Sequence, residues 1–290
     1  RKGRALVRRF RRECPDAVVA LCGCQAQVMA EGEARGLGVD LLVGNRRKAR
    51  LPELLARRLA QGKGGGGVEL CRGDGESDPW DPLELGRPMR HTRAFLKVQD
   101  GCDHGCAYCI VPSVRGRPLS RPPEEVWAEA RRVVASGCAE VVITGVHLGL
   151  YGRDGACSLG ELVRRLGEIE GLRRIRFGSL EPFALSEGLL QELRGVAAFC
   201  PHLHIPLQSG DDGVLRRMRR GYVASDFSRQ VEALRRAFGD EVHVSTDLLV
   251  GFPGETEEAF RRTLDLVTQL GLGRLHVFPY SPRPGTAAAL

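Results

Sequence analysis

Three cysteines at short spacing are the residues of this chain best suited to chemistry. Cys102, Cys106 and Cys109 are separated by three residues and then by two. They follow an apolar, strand-like segment at 95–99, and this spacing lets all three sulfurs face one point. Thiolates are soft ligands that suit an iron–sulfur cluster or zinc, and three local ligands leave one metal position open for substrate chemistry. The alternatives are zinc bound with help from His104 or a distant residue, and unrelated core thiols.

The composition is that of an ordinary globular protein. The chain has 290 residues, of which 42% are hydrophobic and 27% charged. No apolar run reaches the ~18 residues that a membrane helix needs, so we expect no membrane partner. Ten cysteines in so long a chain do not suggest a disulfide scaffold. Their clustering favours metal binding in a reducing cytoplasm, and we expect a cytoplasmic monomer. The remaining scattered cysteines are expected to be inert thiols: Cys71, Cys138, Cys157 and Cys200.

Basic residues are concentrated at the start of the chain. Residues 1–62 contain 14 Lys and Arg against 6 Asp and Glu, whereas residues 63–290 contain 29 against 30. The excess lies in runs such as 8–12 and 46–48. A basic lobe beside a neutral body fits binding to a phosphate backbone. A solvated helix face is the equally good alternative.

The first third of the chain predicts part of an α/β domain. Residues 1–13 have the pattern of a basic amphipathic helix, and 17–21 and 39–43 are short apolar strands. A helix is predicted at 52–60, and Gly-rich and Pro-rich residues at 63–92 predict a linker. We therefore expect residues 1–62 to be the latter part of a small α/β domain whose beginning lies before residue 1.

Strand and helix patterns alternate from residue 93 to the end. Such alternation implies parallel strands with right-handed crossovers. Six strands without a Gly-x-Gly-x-x-Gly turn predict a partial (β/α)6 barrel over 93–290, related to the eight-fold barrel and truncated before its last helix. The predicted strands are 94–99, 140–145, 174–178, 202–207, 242–250 and 274–279, and the predicted helices are 123–135, 158–169, 186–194, 211–237 and 255–270.

Polar and Gly-rich segments follow each predicted strand. In parallel α/β folds, ligands bind at the carboxyl ends of the strands, so these segments are expected to share one pocket around the cysteines. Ordinary loop chemistry would explain any one of them, but not all six. Besides the cysteine loop, the segments are 144–149, 179–182, 208–212, 251–256 and 279–285.

Motifs along most of the chain resemble the radical S-adenosylmethionine (SAM) methylthiotransferases. The segment 144–152 (TGVHLGLYG) is similar to the subgroup that acts on threonylcarbamoyladenosine in tRNA, whereas the isopentenyladenosine and ribosomal-protein subgroups usually differ there. The motifs that carry the family resemblance are 95–102 (FLKVQDGC), 109–112 and 115–117, 207–210 (LQSG), 218–222 (MRRGY), 245–256 (STDLLVGFPGET) and 278–286 (FPYSPRPGT).

The resemblance implies a cofactor pair and a reaction. A [4Fe-4S] cluster on the three cysteines, reduced by an electron donor, would cleave SAM to methionine and a 5′-deoxyadenosyl radical. The radical would abstract the hydrogen at C2 of adenosine 37 in tRNA, where a methylthio group is then installed. In such reactions the protein binds, orients and shields the cofactors. By position, the expected SAM contacts are Tyr108, Gly145, Glu181, Ser209, Asp247 and Gly251, although either carboxylate could instead be a helix N-cap or part of a surface pair.

The chain departs from the family pattern at its second cluster. Methylthiotransferases hold another [4Fe-4S] cluster with three cysteines of the N-terminal domain, and only the last of these has a match, Cys24. Cys14 and Cys22 do not match family ligands, and the other two ligands would precede residue 1. The C-terminal RNA-binding β-barrel of the family is also expected to be missing. We therefore interpret the chain as a fragment that lacks both parts.

Several alternatives follow from the sequence. The substrate could be isopentenyladenosine 37 or an aspartate of a ribosomal protein, and the chain could be a non-catalytic iron–sulfur or zinc module. The polar segments at six strand ends argue against the last of these, because an electron carrier needs no SAM pocket. An arginine-rich stretch at 216–220 could hold phosphate at the rim of the pocket or form a solvated helix face.

Overall fold

The computed structural model describes residues 2–61, 67–74, 77–82, 92–155, 157–239 and 242–290. Half of the predicted linker at 63–92 therefore lies outside the described residues. The chain divides into two compact units: residues 1–84 with 113–117, and residues 85–112 with 118–290. Within the described part of the chain, no helix is both long enough and apolar enough to cross a membrane.

The first unit is a three-stranded parallel sheet with helices. Its strands pair in the order β1-β2-β3, and β2 in the middle is wholly buried. Val7, Met29 and Leu42 belong to one hydrophobic cluster, while Leu41 and Leu54 belong to another. The elements are α1 (Lys2–Glu13), β1 (Ala20–Cys22), α2 (Cys24–Val28), α3 (Glu31–Leu37), β2 (Leu41–Val43), a 3-10 helix (Asn45–Arg50), α4 (Leu51–Gln61) and β3 (Glu69–Cys71).

Two predictions for this unit need correction. The strand predicted at 17–21 forms at Ala20–Cys22, because the Val19 N–H donates to the carboxylate of Asp40 at 2.7 Å before the strand ladder begins. Residues 69–71, assigned to the linker, form the edge strand β3. Strands of three residues are too short to show a periodic pattern.

Several arginines of the basic runs form hydrogen bonds and ion pairs within this unit. Arg11 donates to the Gly38 carbonyl at 2.5 Å and forms an ion pair with Asp40. Arg46 is buried and donates to the Arg117 carbonyl, and Arg47 pairs with Asp78 at 2.5 Å. These three arginines therefore make contacts that stabilise the first unit.

The second unit is a curved sheet of six parallel strands, which confirms the predicted partial barrel. The strands pair as β4-β7-β8 and β9-β10-β11, and parallel bridges at Ile175–Phe199 and Ser179–His204 join the two sets. The spatial order is therefore the chain order. The strands are β4 (Ala94–Lys97), β7 (Glu140–Thr144), β8 (Arg174–Phe177), β9 (His202–His204), β10 (His243–Val250) and β11 (Arg274–Pro279).

Helices cover the outside of this sheet and bury its core. Phe227, Leu162 and Val126 from three different helices lie fully buried in one cluster with Leu96, Ile143 and other strand residues. The helices are α6 (Pro123–Ala135), α7 (Leu159–Gly167), α8 (Glu187–Arg194), α9 (Asp212–Met218), α10 (Ala224–Phe238) and α11 (Glu257–Gln269); a short helix, α5 (Val111–Arg115), follows the cysteine loop.

Two local predictions for this unit are wrong. The helix predicted at 211–237 is two helices, because Arg219 (φ 57°) and Gly221 (φ 71°) adopt the left-handed conformation that ends α9. The strand predicted at 94–99 stops at Lys97, and β5 (Gln99–Asp100) pairs antiparallel with β6 (Leu119–Ser120) instead. The break between α9 and α10 bears directly on the site.

Candidate cluster and cofactor site

The cysteine loop follows β5 and is held by backbone hydrogen bonds. The Ala107 N–H donates to the Met218 carbonyl at 2.9 Å, and the Ala107 carbonyl accepts from Ala288 at 2.8 Å. Cys109 N–H donates to the Cys106 carbonyl at 3.0 Å, which closes a turn between two of the ligands. These hydrogen bonds hold the loop in a defined conformation.

Each of the three sulfurs accepts a hydrogen bond. The Sγ of Cys102 accepts from the backbone N–H of His104 at 3.3 Å, and the Sγ of Cys109 accepts from Val111 at 3.5 Å. The Sγ of Cys106 accepts from the guanidinium of Arg220 at 3.2 Å. Donors of this kind stabilise thiolates and cluster ligands, so the surroundings fit metal binding.

Burial keeps two of the thiols protonated when no metal is bound. Desolvation raises the pKa of Cys102 to about 11, and burial likewise raises the pKa of Cys109. Because only the thiolate is a ligand, metal binding must displace these protons.

Arg220 is the central charged group of the site. It is 2% exposed, and its guanidinium contacts Cys106, pairs with Glu181 and donates to the Tyr222 hydroxyl at 3.0 Å. Burial opposes its charge, but the neighbouring groups Tyr222, Glu181, Tyr108 and Cys106 together raise the pKa of Arg220 above its ordinary value. A permanent cation and a carboxylate thus lie side by side next to Cys106, one of the predicted cluster ligands.

Tyr108 packs between this charged group and an aromatic cluster. Its ring meets Phe252 edge-on at 6.3 Å, and Phe252 meets Tyr280 in the same way at 5.4 Å. Burial raises the pKa of Tyr108, so its hydroxyl stays neutral. Tyr108 lies within the cysteine loop itself, between Cys106 and Cys109, and its contact with SAM stays a prediction.

His104 of the cysteine loop belongs to an aromatic stack with His147 and Phe183. His104 stacks on Phe183 with 4.8 Å between ring centroids, and His147 lies 5.6 Å from His104. Both ring nitrogens of His147 are buried and have no hydrogen-bond partner among the described residues. Burial, with a contribution from His104, lowers the pKa of His147 to about 4, which keeps the ring neutral.

At two of the predicted SAM contacts, Gly145 and Gly251, the local structure itself favours glycine. A Cβ on Gly145 would lie 2.8 Å from the Cβ of Gln99, whose Oε1 accepts from the His147 N–H at 2.7 Å. Gly251 has φ +71°, and its N–H donates to Glu255 at 2.5 Å. Both follow barrel strands, and their contact with SAM stays a prediction.

The two remaining predicted SAM contacts, Ser209 and Asp247, differ in how accessible their side chains are. The hydroxyl of Ser209 is fully buried between Thr263 Oγ1, at 3.3 Å, and the Asp211 N–H, so it holds the loop after β9 against α11. The carboxylate of Asp247 lies on β10 and contacts two histidines, His204 and His276. The predicted SAM contact at Ser209 thus gains no support from the structure, whereas Asp247 offers an accessible carboxylate.

Cys24 lies in the first unit, at the start of α2 after Gly23 (φ 97°). Its sulfur lies 3.4 Å from the Nδ2 of Asn45, which also donates to the Val114 carbonyl at 2.8 Å. Cys14 and Cys22 are exposed. The structure shows Cys24 as a partly buried thiol, and its role as a cluster ligand stays a prediction.

The sequence interpretation missed Arg220, His147 and the aromatic stack. Arg220 was expected at a phosphate-binding rim or on a solvated helix face, and both expectations are wrong for this residue. The available signal was Gly221 within the arginine-rich stretch, since a glycine there predicts a helix end and a change in chain direction.

Comparison with known proteins identifies the family. Residues 96–267, more than half of the chain, match the model of the radical SAM superfamily. The chain is 40% identical over 279 residues to a tRNA-2-methylthio-N(6)-dimethylallyladenosine synthase of Cereibacter sphaeroides, covering 95% of this chain and 62% of the relative. It is 37% identical over 293 residues to the threonylcarbamoyladenosine tRNA methylthiotransferase MtaB of Thermotoga maritima, covering 100% of this chain and 65% of the relative.

Solved structures support the fold. A radical SAM methyltransferase, TsrM from Kitasatospora setae, was solved with cobalamin and a [4Fe-4S] cluster bound. It superposes with a TM-score of 0.74 at 19% identity, over 99% of this chain and 61% of that chain. The chain spans less than two thirds of the length of these curated and solved relatives. With its partial barrel, its cysteine loop and its confirmed resemblance to tRNA methylthiotransferases, the chain belongs to the radical SAM superfamily.

Proposed function

We propose that this chain carries the SAM-cleaving part of a tRNA methylthiotransferase that adds a methylthio group to C2 of N6-threonylcarbamoyladenosine at position 37. The observation that supports SAM binding most strongly is the buried Glu181–Arg220 pair against Cys106. A guanidinium and a carboxylate side by side complement the carboxylate and ammonium of the methionine part of SAM.

In this proposal Cys102, Cys106 and Cys109 hold the [4Fe-4S] cluster. When bound, the cluster would supply the electron for the reductive cleavage of SAM. The protein's own residues bind and shield: Arg220 and Glu181 orient the amino-acid end, and the Tyr108–Phe252 contact closes an apolar wall. The neutral state of Tyr108 and His147 keeps competing charge away from the reacting groups.

A second cluster is part of the proposal for the full-length protein. Cys24 matches the last of the three family ligands, and it lies partly buried beside Asn45. The first unit with Cys24 would serve sulfur insertion, whereas the barrel would serve SAM cleavage.

The substrate is proposed to be threonylcarbamoyladenosine on the strength of the segment 144–152. This segment contains His147, a buried polar side chain at the site, and MtaB relatives align with the whole chain. Relatives that act on dimethylallyladenosine are equally close, so isopentenyladenosine 37 is the second candidate.

Nucleoside mass spectrometry of tRNA separates the candidates. Cells with the full-length gene should contain 2-methylthio-threonylcarbamoyladenosine, and cells without it should contain the unmodified parent nucleoside. If deletion instead removes 2-methylthio-isopentenyladenosine, the second candidate is correct. If both tRNA nucleosides are unchanged, the tRNA proposal fails and the ribosomal-protein substrate is tested next.

A further inference from the structure

Three side chains on neighbouring strands meet at one carboxylate oxygen. On β10, the Oδ1 of Asp247 lies 3.1 Å from the Nε2 of His204 on β9 and 3.3 Å from the Nδ1 of His276 on β11. Asp247 pairs directly with His276 in the strand register, and His204 pairs with Ser245, two residues before Asp247 and on the same sheet face. The contact therefore follows from the parallel register of three strands.

His204 is fixed from both sides. Its Nδ1 lies 2.9 Å from the Oγ of the buried Ser245, while its Nε2 faces Asp247. A carboxylate only accepts, so Nε2 is the nitrogen of His204 that donates to Asp247, while Nδ1 lies within hydrogen-bond distance of the Ser245 hydroxyl. His276 is less enclosed, with 42% of its side chain exposed, and its ring lies 5.3 Å from that of His204.

The other oxygen of Asp247 is free to accept. Both histidine contacts fall on Oδ1, and Asp247 has no other side-chain contact among the described residues. When two histidine nitrogens hold one oxygen of a carboxylate, the orientation of its second oxygen is fixed as well. A fixed acceptor of this kind suits a ligand hydroxyl, which can donate a hydrogen bond to it.

Backbone contacts connect this carboxylate to the cofactor site. The carbonyl of Asp247 accepts from the Gln208 N–H at 2.8 Å, and the carbonyl of Leu207 accepts from the Tyr222 hydroxyl at 2.9 Å. Tyr222 is in turn bonded to Arg220, which contacts Cys106. Asp247 and the cluster ligand therefore belong to one continuous set of contacts.

We infer that His204 and His276 are positioning residues that hold Asp247 with its free oxygen turned toward the ribose hydroxyls of SAM. This inference rests on the proposed function, in which Asp247 contacts SAM. It assigns the two histidines a role in the binding of the nucleoside part, separate from the Glu181–Arg220 pair at the methionine end.

The test measures binding of S-adenosylhomocysteine, which cannot be cleaved, to the anaerobically reconstituted chain. Asp247→Ala and His276→Ala should each weaken binding roughly three- to tenfold. His276→Asn, which keeps a nitrogen near the position of Nδ1, should restore most of the affinity. His202→Ala, two residues before His204 on β9, is the control and should have no effect.

Two further measurements show whether the histidine acts through Asp247. In the Asp247→Ala background, His276→Ala should cause no further loss, because its partner is gone. An analogue that lacks the ribose 2′- and 3′-hydroxyls should bind wild type and His276→Ala equally well. The inference would be overturned if the losses of affinity in the double variant were additive. It would also be overturned if His276→Ala weakened binding of the analogue as much as it weakens binding of S-adenosylhomocysteine.

The outcomes also separate this inference from the proposed function. Wild-type chain that binds no S-adenosylhomocysteine would contradict the proposed function itself. A loss with Asp247→Ala but none with His276→Ala would overturn only the inference. Stoichiometric zinc that disappears in His276→Ala would also overturn it, because the three side chains would then be metal ligands.

Discussion

The two cysteine sites of this protein differ in the charge and number of their partners. In the second unit, three thiols share one loop, and a buried arginine lies 3.2 Å from one sulfur. In the first unit, Cys24 is a single thiol beside the neutral amide of Asn45. In the proposed function the triplet is a metal site complete in one loop, whereas Cys24 would need ligands from elsewhere. The proposed SAM-cleaving function would then be the more self-contained of the two.

The largest expected difference between the two sites is in iron binding. Cys106→Ala should remove the broad absorption near ~400 nm and most of the iron from the anaerobically reconstituted chain, because two thiolates cannot retain the cluster. Cys24→Ala should leave both nearly unchanged, as should the control Cys14→Ala. Iron loss in Cys24→Ala equal to that in Cys106→Ala would mean that the triplet does not form an independent site.

Substitutions at the charged site around Arg220 should also lower the free energy of unfolding more than substitutions at the Cys24 site. Glu181→Gln leaves Arg220 buried without its counterion and should lower the free energy of unfolding by ~3 kcal/mol. Asn45→Ala removes neutral hydrogen bonds at Cys24 and should cost about 1 kcal/mol. Denaturant titration measures both, with Glu161→Gln on the exposed face of α7 as a control without measurable effect. Equal losses would contradict the distinction between the sites.

The barrel site should make stability depend on pH through His147. Its pKa is lowered to about 4, so between pH 6.5 and pH 4 the unfolded chain binds a proton that the folded chain does not. Stability should therefore fall by ~3 kcal/mol as the pH drops through this window. His147→Phe should remove this part of the slope, whereas His243→Phe, at an exposed position, should not. An unchanged slope in His147→Phe would assign the pH dependence to other groups.

The smallest expected effect concerns the basic helix of the first unit. Arg8 and Arg12 are exposed on α1, whereas Arg11 is engaged with Asp40. If the exposed pair contacts tRNA, then Arg8→Glu with Arg12→Glu in the full-length protein should reduce the slope of log affinity against log salt by about 2. The matched control reverses two exposed arginines on α7 and α10, Arg164 and Arg236. If the two α1 substitutions leave the slope unchanged, this face of the helix is exposed to solvent and does not contact tRNA.

The sequence predicted the barrel well because its strands and helices are long enough to show periodicity. Strand β11 and helix α6 were predicted at the observed residues, and the cysteine loop was placed correctly after the first barrel strand. The break at Arg219 was missed, because the left-handed turn interrupts a continuous amphipathic pattern. That turn brings Arg220 and Tyr222 into the site, so the error concealed the most important charged group.

The contacts between side chains on neighbouring strands could not be predicted from the sequence. Asp247 was predicted as a SAM contact from its position, but its contacts with His204 and His276 depend on the register of three strands. In the same way, the short strand β3 lacks the length for a periodic pattern and was assigned to the linker.

Reductive cleavage of SAM tests the central claim most directly. The anaerobically reconstituted chain, given a strong reductant and SAM, should produce 5′-deoxyadenosine, measured by liquid chromatography and mass spectrometry. Cys24→Ala should retain this activity, and Cys106→Ala should lose it. Product formation by Cys106→Ala at the wild-type rate, or none by a wild-type chain that carries its cluster, would contradict the assignment of SAM cleavage to the barrel triplet.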